Sequence, residues 1–536
     1  MMKRLFALLI TLTTLHCVNA QVFRNPVIPG FHPDPSVCRV GKDFYLVNSS
    51  FHYFPGVPIF HSNDLVHWEQ IGNVLDRDSQ LPLKDATSWL GIYAPTIRYH
   101  NGTFYMITTN VGNGGNFMVT AKNPRGPWSE PIWLKQEGID PSLWFENGRC
   151  YMMSNPDNTI MLCEINPLTG EQLTPSRPLW RGTGGRYPEG PHIYKKEGWY
   201  YLLISEGGTE LAHKLTIARS RNIYGPYEPN PDNPILTNCC MKGQGMQIQG
   251  TGHGDFVQAE DGSWWLVFLA YRNFNGSYHH LGRETYLAPV SWPRGEWPVV
   301  NGGEPIDTLM QAALPATGAE SKQPNGKDGS LTYGPEWIYI QNPKRKVELR
   351  EGKAWCGVEQ TNVRLYASQS TLTENRQPAF FGRRQEDERF TMEAVVSPSQ
   401  SFADGDEAGL SVYQINDGHL DYFIRRTQNG YRLALRCKLK SIDYIVSERE
   451  LTFDPTLLLL RVRSDGESYY FEYQNNSDLT DIDEDRWQLS GRLDCSLMST
   501  EVAGGFTGVV IGAYASAARE GDDVYADFPL LLYQKQ

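Results

Sequence analysis

Apolar residues along this chain come in short alternating runs broken by glycine, asparagine and proline, and no stretch long enough to be a helix keeps a helical period. Such a pattern predicts short strands joined by tight turns. One unit recurs five times, a turn glycine followed by an aromatic-rich strand: Gly41-Lys-Asp-Phe-Tyr-Leu-Val, Gly102-Thr-Phe-Tyr-Met-Ile, Gly148-Arg-Cys-Tyr-Met-Met, Gly198-Trp-Tyr-Tyr-Leu-Leu-Ile and Gly262-Ser-Trp-Trp-Leu-Val-Phe. The copies lie 61, 46, 50 and 64 residues apart. A repeat of that length built from strands predicts a β-propeller with one four-stranded blade per copy, and so five blades. Trp68, Trp128 and the Gly-Pro turns ahead of Trp128 and Tyr227 read as blade packing.

Near Pro315 the pattern stops. Residues 315–334 are small, polar and turn-forming, as a linker is. Alternation then resumes in strands such as Phe390-Thr-Met-Glu-Ala-Val-Val, Ala408-Gly-Leu-Ser-Val-Tyr and Tyr431-Arg-Leu-Ala-Leu-Arg, with Asn-Gly and Asp-Gly turns between. This predicts a two-sheet β-sandwich over 335–536. The fold class expected is all-β, a five-bladed propeller over 21–314 followed by a sandwich. At the other end Lys3 and Arg4, the apolar run Leu5 to Leu15 and Val18-Asn19-Ala20 read as a signal peptide over 1–20. The protein is therefore expected to be exported, periplasmic or secreted. Membrane insertion is not expected, because the leader run falls short of the ~20 apolar residues a spanning helix needs and no later run approaches it.

Composition narrows the partners. With 40% hydrophobic and 21% charged residues the chain is no disordered polyampholyte. A net charge of −12, or −14 without Lys3 and Arg4, disfavours nucleic acid. Trp, Tyr and Phe together make up 12% of the chain, which favours neutral, ring-shaped ligands that stack on aromatic faces. Eight cysteines outside the leader, Cys38, Cys150, Cys163, Cys239, Cys240, Cys356, Cys437 and Cys495, lack metal-ligand spacing and read mainly as buried thiols.

The repeat also locates candidate chemistry. Just upstream of each turn glycine lies a polar segment: His32-Pro-Asp34-Pro-Ser, Tyr93-Ala-Pro-Thr, Asp140-Pro-Ser, Glu189-Gly-Pro-His and Gly252-His253-Gly-Asp. Inner strands of a propeller share one axis, so Asp34, Asp140, Glu189 and His253 are expected to meet at one end of it. Three carboxylates in a pocket for a neutral ligand suit glycoside hydrolysis, since crowding keeps one of them protonated as acid while another serves as base.

Those segments, with Asn25-Pro-Val-Ile-Pro-Gly-Phe-His-Pro-Asp34, Ser62-Asn-Asp-Leu-Val-His-Trp68, Leu281-Gly-Arg283-Glu-Thr and Phe381-Gly-Arg-Arg-Gln385, resemble the two-domain enzymes of glycoside hydrolase family 43. The resemblance implies a five-bladed propeller and a concanavalin-like sandwich, with Asp34 as general base, Glu189 as general acid and Asp140 holding Glu189 protonated and oriented. It implies that Arg283 binds sugar hydroxyls, that His253 braces the site, and that Phe51, Tyr53 and Tyr93 form pocket walls, Tyr93 standing where many relatives carry tryptophan. From the sandwich it implies that Phe506 closes the pocket. No metal is assigned to the site and no cofactor is required. A structural calcium is left open at Asp522, Asp523 and Asp527, whose spacing alone is not diagnostic.

The expected function is that of an exo-acting, inverting glycosidase releasing terminal α-L-arabinofuranosyl residues from hemicellulose, arabinan-type polysaccharide or their oligosaccharides. The alternatives are a β-D-xylosidase or bifunctional enzyme and, less favoured because all three acids are kept, a non-catalytic sugar-binding propeller.

Overall fold

The structure, a computed structural model, describes residues 21–315, 333–351, 361–453, 455, 458–475 and 484–536. The leader, Cys356 and all of the linker but Pro315, Tyr333 and Gly334 lie outside the described residues. What is described is nearly all strand, with a single turn of α-helix at Thr500–Ala503 among the described residues.

Five antiparallel sheets form the blades, and their inner strands are Ser36–Val40, Thr96–His100, Ile139–Glu146, Glu189–Lys196 and Ile248–Gln258. Each repeated glycine is the turn between the first and second strands of a blade. In three blades it follows another residue of positive φ, as in Asn101–Gly102 (48° and 72°), which is the two-residue turn that matches strand twist. Trp128 is buried, and Tyr227 closes its own turn by donating to the Ile223 carbonyl. The ring is tied by its ends: Gln21–Arg24 pairs with Leu309–Ala312, and the Asn25 amide exchanges two hydrogen bonds with the Leu287 backbone of blade 5.

Deep in the axis sits a charge network. Asp255 accepts from Ser36 Oγ, the Val37 amide, both Arg98 terminal nitrogens and Tyr194 Oη, at 2.6–3.2 Å. Burial by itself would raise this carboxyl, but Arg98 foremost among its partners brings it down to about 2. The channel is thus filled and pinned.

The second domain is a two-sheet sandwich of eight and seven strands. The eighth strand of the larger sheet comes from the propeller: Tyr53–Phe54 pairs with Trp337–Ile340, Tyr53 opposite Ile340 and Phe54 opposite Tyr339. Apolar clusters run unbroken across this junction, uniting Phe31, Phe51 and Tyr53 with Ile338, Phe380 and Tyr413.

Candidate active site

In blades 3 and 4 the inner strand begins with a β-bulge. Between Ile139 and Ser142 the strand takes three steps while its partner takes two, and the same holds between Glu189 and His192. Blade 5 is irregular on both sides of Gly252. The inserted residue points its backbone into the left-handed region, with φ of 53° at Asp140, 58° at Gly190 and 44° at His253, and Asp34 in blade 1 has φ 54°. Such conformations are uncommon outside glycine and collect at functional sites. This corrects the expected register. Asp34, Asp140 and His253 are equivalent, whereas blade 4 places Gly190 there, and Glu189 stands one residue earlier, opposite Ser205 as Ile139 is opposite Asn155. Gly190 suits the position twice over, because a Cβ there would meet the His253 ring at 3.0 Å.

The predicted acids do converge. Asp34, Asp140, Glu189, His253 and Arg283 line one cavity of about 410 Å³, walled by Phe51, Tyr93 and Phe506. Arg283 Nη1 donates to Asp34 Oδ1 at 3.0 Å, and Ser49 Oγ donates to Oδ2. His253 Nδ1 lies 3.9 Å from Asp34, and its ring is within 4.8 Å of donor atoms on Asp140 and Glu189. The last three groups are spaced as a divalent cation could be held. Ser205 orders this side of the pocket, accepting from the His253 amide at 2.6 Å and pairing with His213 Nε2 at 2.8 Å.

The ionisation pattern is uneven. Burial would raise Asp34, but Arg283, then His253, Ser49 and His213 outweigh it, and the carboxyl falls below its ordinary value. Burial first, and then the Asp34 charge, push Glu189 up to about 8 against the pull of Arg283. Asp140 rises well above the carboxylate range, through burial and then through Glu189 and Asp34. Burial lowers His253, so its imidazole is neutral near pH 7. One carboxylate is held as an ion and two acids hold protons, which is the division that acid and base catalysis needs.

The sandwich reaches into the pocket. The Phe506 carbonyl accepts from Arg283 Nη2 at 3.3 Å, and the Phe506 ring meets Phe51 at 5.4 Å and Tyr93 at 6.2 Å, both edge-on. Tyr93 is fixed by its hydroxyl donating to the Trp89 carbonyl. Tyr53 is a correction. It is fully buried in the inter-domain strand, two residues along from Phe51 where φ is 48°, and does not line the cavity. Asp522, Asp523 and Asp527 do not share a cage: each pairs with its own arginine, Arg345, Arg519 and Arg364. Of the thiols, Cys38, Cys150, Cys163 and Cys495 are buried, but Cys239 and Cys240 are exposed.

The sequence reading missed Tyr187, Thr209 and Glu210 on the cavity wall. All belong to the same end of blade 4: Tyr187 precedes its inner strand, and Thr209 and Glu210 lie between its strands Trp199–Glu206 and Lys214–Ser220. That loop position is the signal that would have found the last two, since Phe51 and Arg283 occupy it in blades 1 and 5.

Residues 23–298 match the model of glycosyl hydrolases family 43, and residues 330–534 match the beta xylosidase C-terminal concanavalin A-like domain. Over 98% of both chains the protein is 41% identical to the non-reducing end alpha-L-arabinofuranosidase BoGH43B of Bacteroides ovatus. A xylosidase/arabinosidase of Butyrivibrio fibrisolvens is 37% identical over 95% of this chain and 98% of its own. Among solved structures, one described as Bacteroides ovatus xyloglucan PUL GH43B superposes with a TM-score of 0.85 at 38% identity, covering 96% of this chain and all of that one. Xylan beta-1,4-xylosidase from Bacillus halodurans gives 0.84 at 32%, with the same coverage. The bulged strand starts, the shared axial pocket and both halves of the sequence lead to one assignment: the chain belongs to glycosyl hydrolases family 43.

Proposed function

We infer that the protein hydrolyses terminal, non-reducing α-L-arabinofuranosyl linkages with inversion. The observation that carries this is the opposed ionisation of Asp34 and Glu189 within one pocket. In this reading Asp34 removes a proton from water as the water attacks the anomeric carbon. Glu189 delivers its proton to the departing glycosidic oxygen, and the bond to that oxygen breaks. The products are the free sugar, of opposite anomeric configuration, and a leaving group with a new hydroxyl. Only side chains of the chain and water take part. Arg283 gives one N–H of Nη1 to Asp34 and one of Nη2 to Phe506, and each of these nitrogens keeps a second N–H with which to meet a sugar hydroxyl. The aromatic wall of Phe51, Tyr93 and Phe506 limits the pocket to one terminal residue.

Arabinofuranose is supported by the Bacteroides ovatus relative, and the Butyrivibrio relative supports a second reading, β-D-xylosidase or dual action. Hydrolysis of para-nitrophenyl α-L-arabinofuranoside and β-D-xylopyranoside by one preparation decides between them. Faster release from the xyloside overturns the first reading. Proton NMR of the first-formed sugar tests inversion, and a retained anomer refutes it.

A further inference from the structure

A second cavity, of about 820 Å³, adjoins the catalytic one and shares Thr209, Glu210 and Phe506 with it. It is twice as large. One wall is the segment around the 3-10 turn Met241–Gly243, another is Tyr271 and Asn273 of blade 5, and the sandwich closes it with Thr500 and Glu501.

Its chemistry is that of a site for a neutral, hydroxyl-rich ligand. The acids on its wall already have partners: Glu210 pairs with Arg186 at 2.7 Å, and Glu501 lies 2.6 Å from His279 Nδ1 and accepts the His279 amide. Among the described residues no lysine or arginine lines it. Gln244, Gln249, Asn273, Ser277 and Thr500 bring neutral amide and hydroxyl side chains to its wall. Leu211 and Met241, exposed to 53% and 94%, add apolar surface of the kind that packs on the C–H faces of sugars.

We propose that this cavity holds the leaving group, and that it takes a neutral oligosaccharide segment of two or more sugars, so that the substrate is a pentose borne on a longer glycan backbone and not a free disaccharide. The inference rests on the glycosidase reading above. If the smaller cavity encloses one terminal sugar, the continuous space beyond it, twice the volume, lies where the aglycone must go, and Phe506 forms the ridge between the two.

Cys239 and Cys240 line this cavity and are exposed, so they report its occupancy. Alkylation of the unmodified protein by N-ethylmaleimide, read by peptide mass at these two cysteines, should be slowed by at least one of xylotetraose, cellotetraose and 1,5-α-arabinotetraose, and not by arabinose alone. Asn273→Ala should lower the ratio of kcat/KM on an arabinofuranosyl-substituted oligosaccharide to that on the aryl arabinofuranoside about tenfold, the loss of one well-made hydrogen bond. Met241→Trp, at the exposed rim, narrows the cavity without touching a buried atom and should lower the same ratio. An unchanged ratio in both variants overturns the proposal, as does a failure of all three tetrasaccharides to protect. Failure of the glycosidase reading shows separately, as no pentose release from any aryl pentoside by the unmodified protein.

Discussion

Glu189 and Asp255 are acids on the inner strands of adjacent blades, and they end in opposite states. Asp255 has five donors and an arginine to itself, and it is an ion down to about pH 2. Glu189 shares a single arginine with two other acids, and Arg283 is spent on Asp34, so Glu189 keeps its proton up to about pH 8. Matched charge pins a fold, and a deficit of positive charge stores a proton for chemistry. The chain places both arrangements on one axis, the balanced one below and the unbalanced one at the mouth.

Several substitutions break or sharpen that contrast. The largest effect is expected at the mouth: Glu189→Gln and Asp34→Asn should each lower kcat on an unactivated oligosaccharide by about 10²- to 10⁴-fold, Glu189→Gln with an unchanged melting curve and Asp34→Asn with a lower one, since it leaves Arg283 buried without its carboxylate. Near-native turnover by either would remove that residue from the reaction. At Asp255 the effect should be on stability. Asp255→Asn leaves Arg98 buried without its counter-charge and should cost about 3–5 kcal/mol in denaturant unfolding, as broken buried pairs do. A midpoint close to that of the unmodified protein would show that the network is not what holds the channel.

Asp140 tests the coupling itself. Two crowded acids release their protons as a pair, the second held more tightly than either would be alone. Glu189 acts while protonated, so activity is lost as pH rises through its raised pKa; Asp34 acts while ionised, so activity is lost as pH falls through its lowered one. The Glu189 charge raises Asp140 and not the reverse, so Asp140 is still neutral when Glu189 ionises, and Asp140→Asn should leave both limbs of kcat/KM in place while the rate falls. An alkaline limb that moves to lower pH would show instead that a charge on Asp140 holds Glu189 protonated. The smallest effect is expected at Phe506→Ala, about two- to tenfold in kcat/KM from the loss of one aromatic contact. No change in KM would return that ring to a purely structural role.

The strands and blades were legible because alternation and turn glycines repeat five times over, and the three acids because each lies seven to nine residues ahead of such a glycine. The one-residue displacement of Glu189 was not legible. A bulge adds a residue without changing the local pattern of residue types, and only the pairing of Glu189 with Ser205 reveals it. Tyr53 was misplaced for a related reason: an aromatic beside a pocket and one buried in an inter-domain strand look alike in sequence. Asp522, Asp523 and Asp527 suggested a cage because two of their arginine partners are far away in the chain, Arg345 by 177 residues from Asp522 and Arg364 by 163 from Asp527. The wall residues Thr209 and Glu210 lie in a loop whose length differs from blade to blade, so repeat comparison passes over them.

The strand Tyr53–Phe54, which the propeller lends to the sandwich, also bears on how such a chain can be cut and reused. Shared pairing and a continuous apolar cluster make the sandwich a structural half of the enzyme, not an appended module. Severed within residues 315–334, the propeller would keep every acid yet present an unpaired, aromatic strand edge to water, the kind of surface that seeds aggregation. The catalytic half is therefore a poor cassette for fusion to other scaffolds, and insertions are better placed at exposed turns such as Asn101–Gly102.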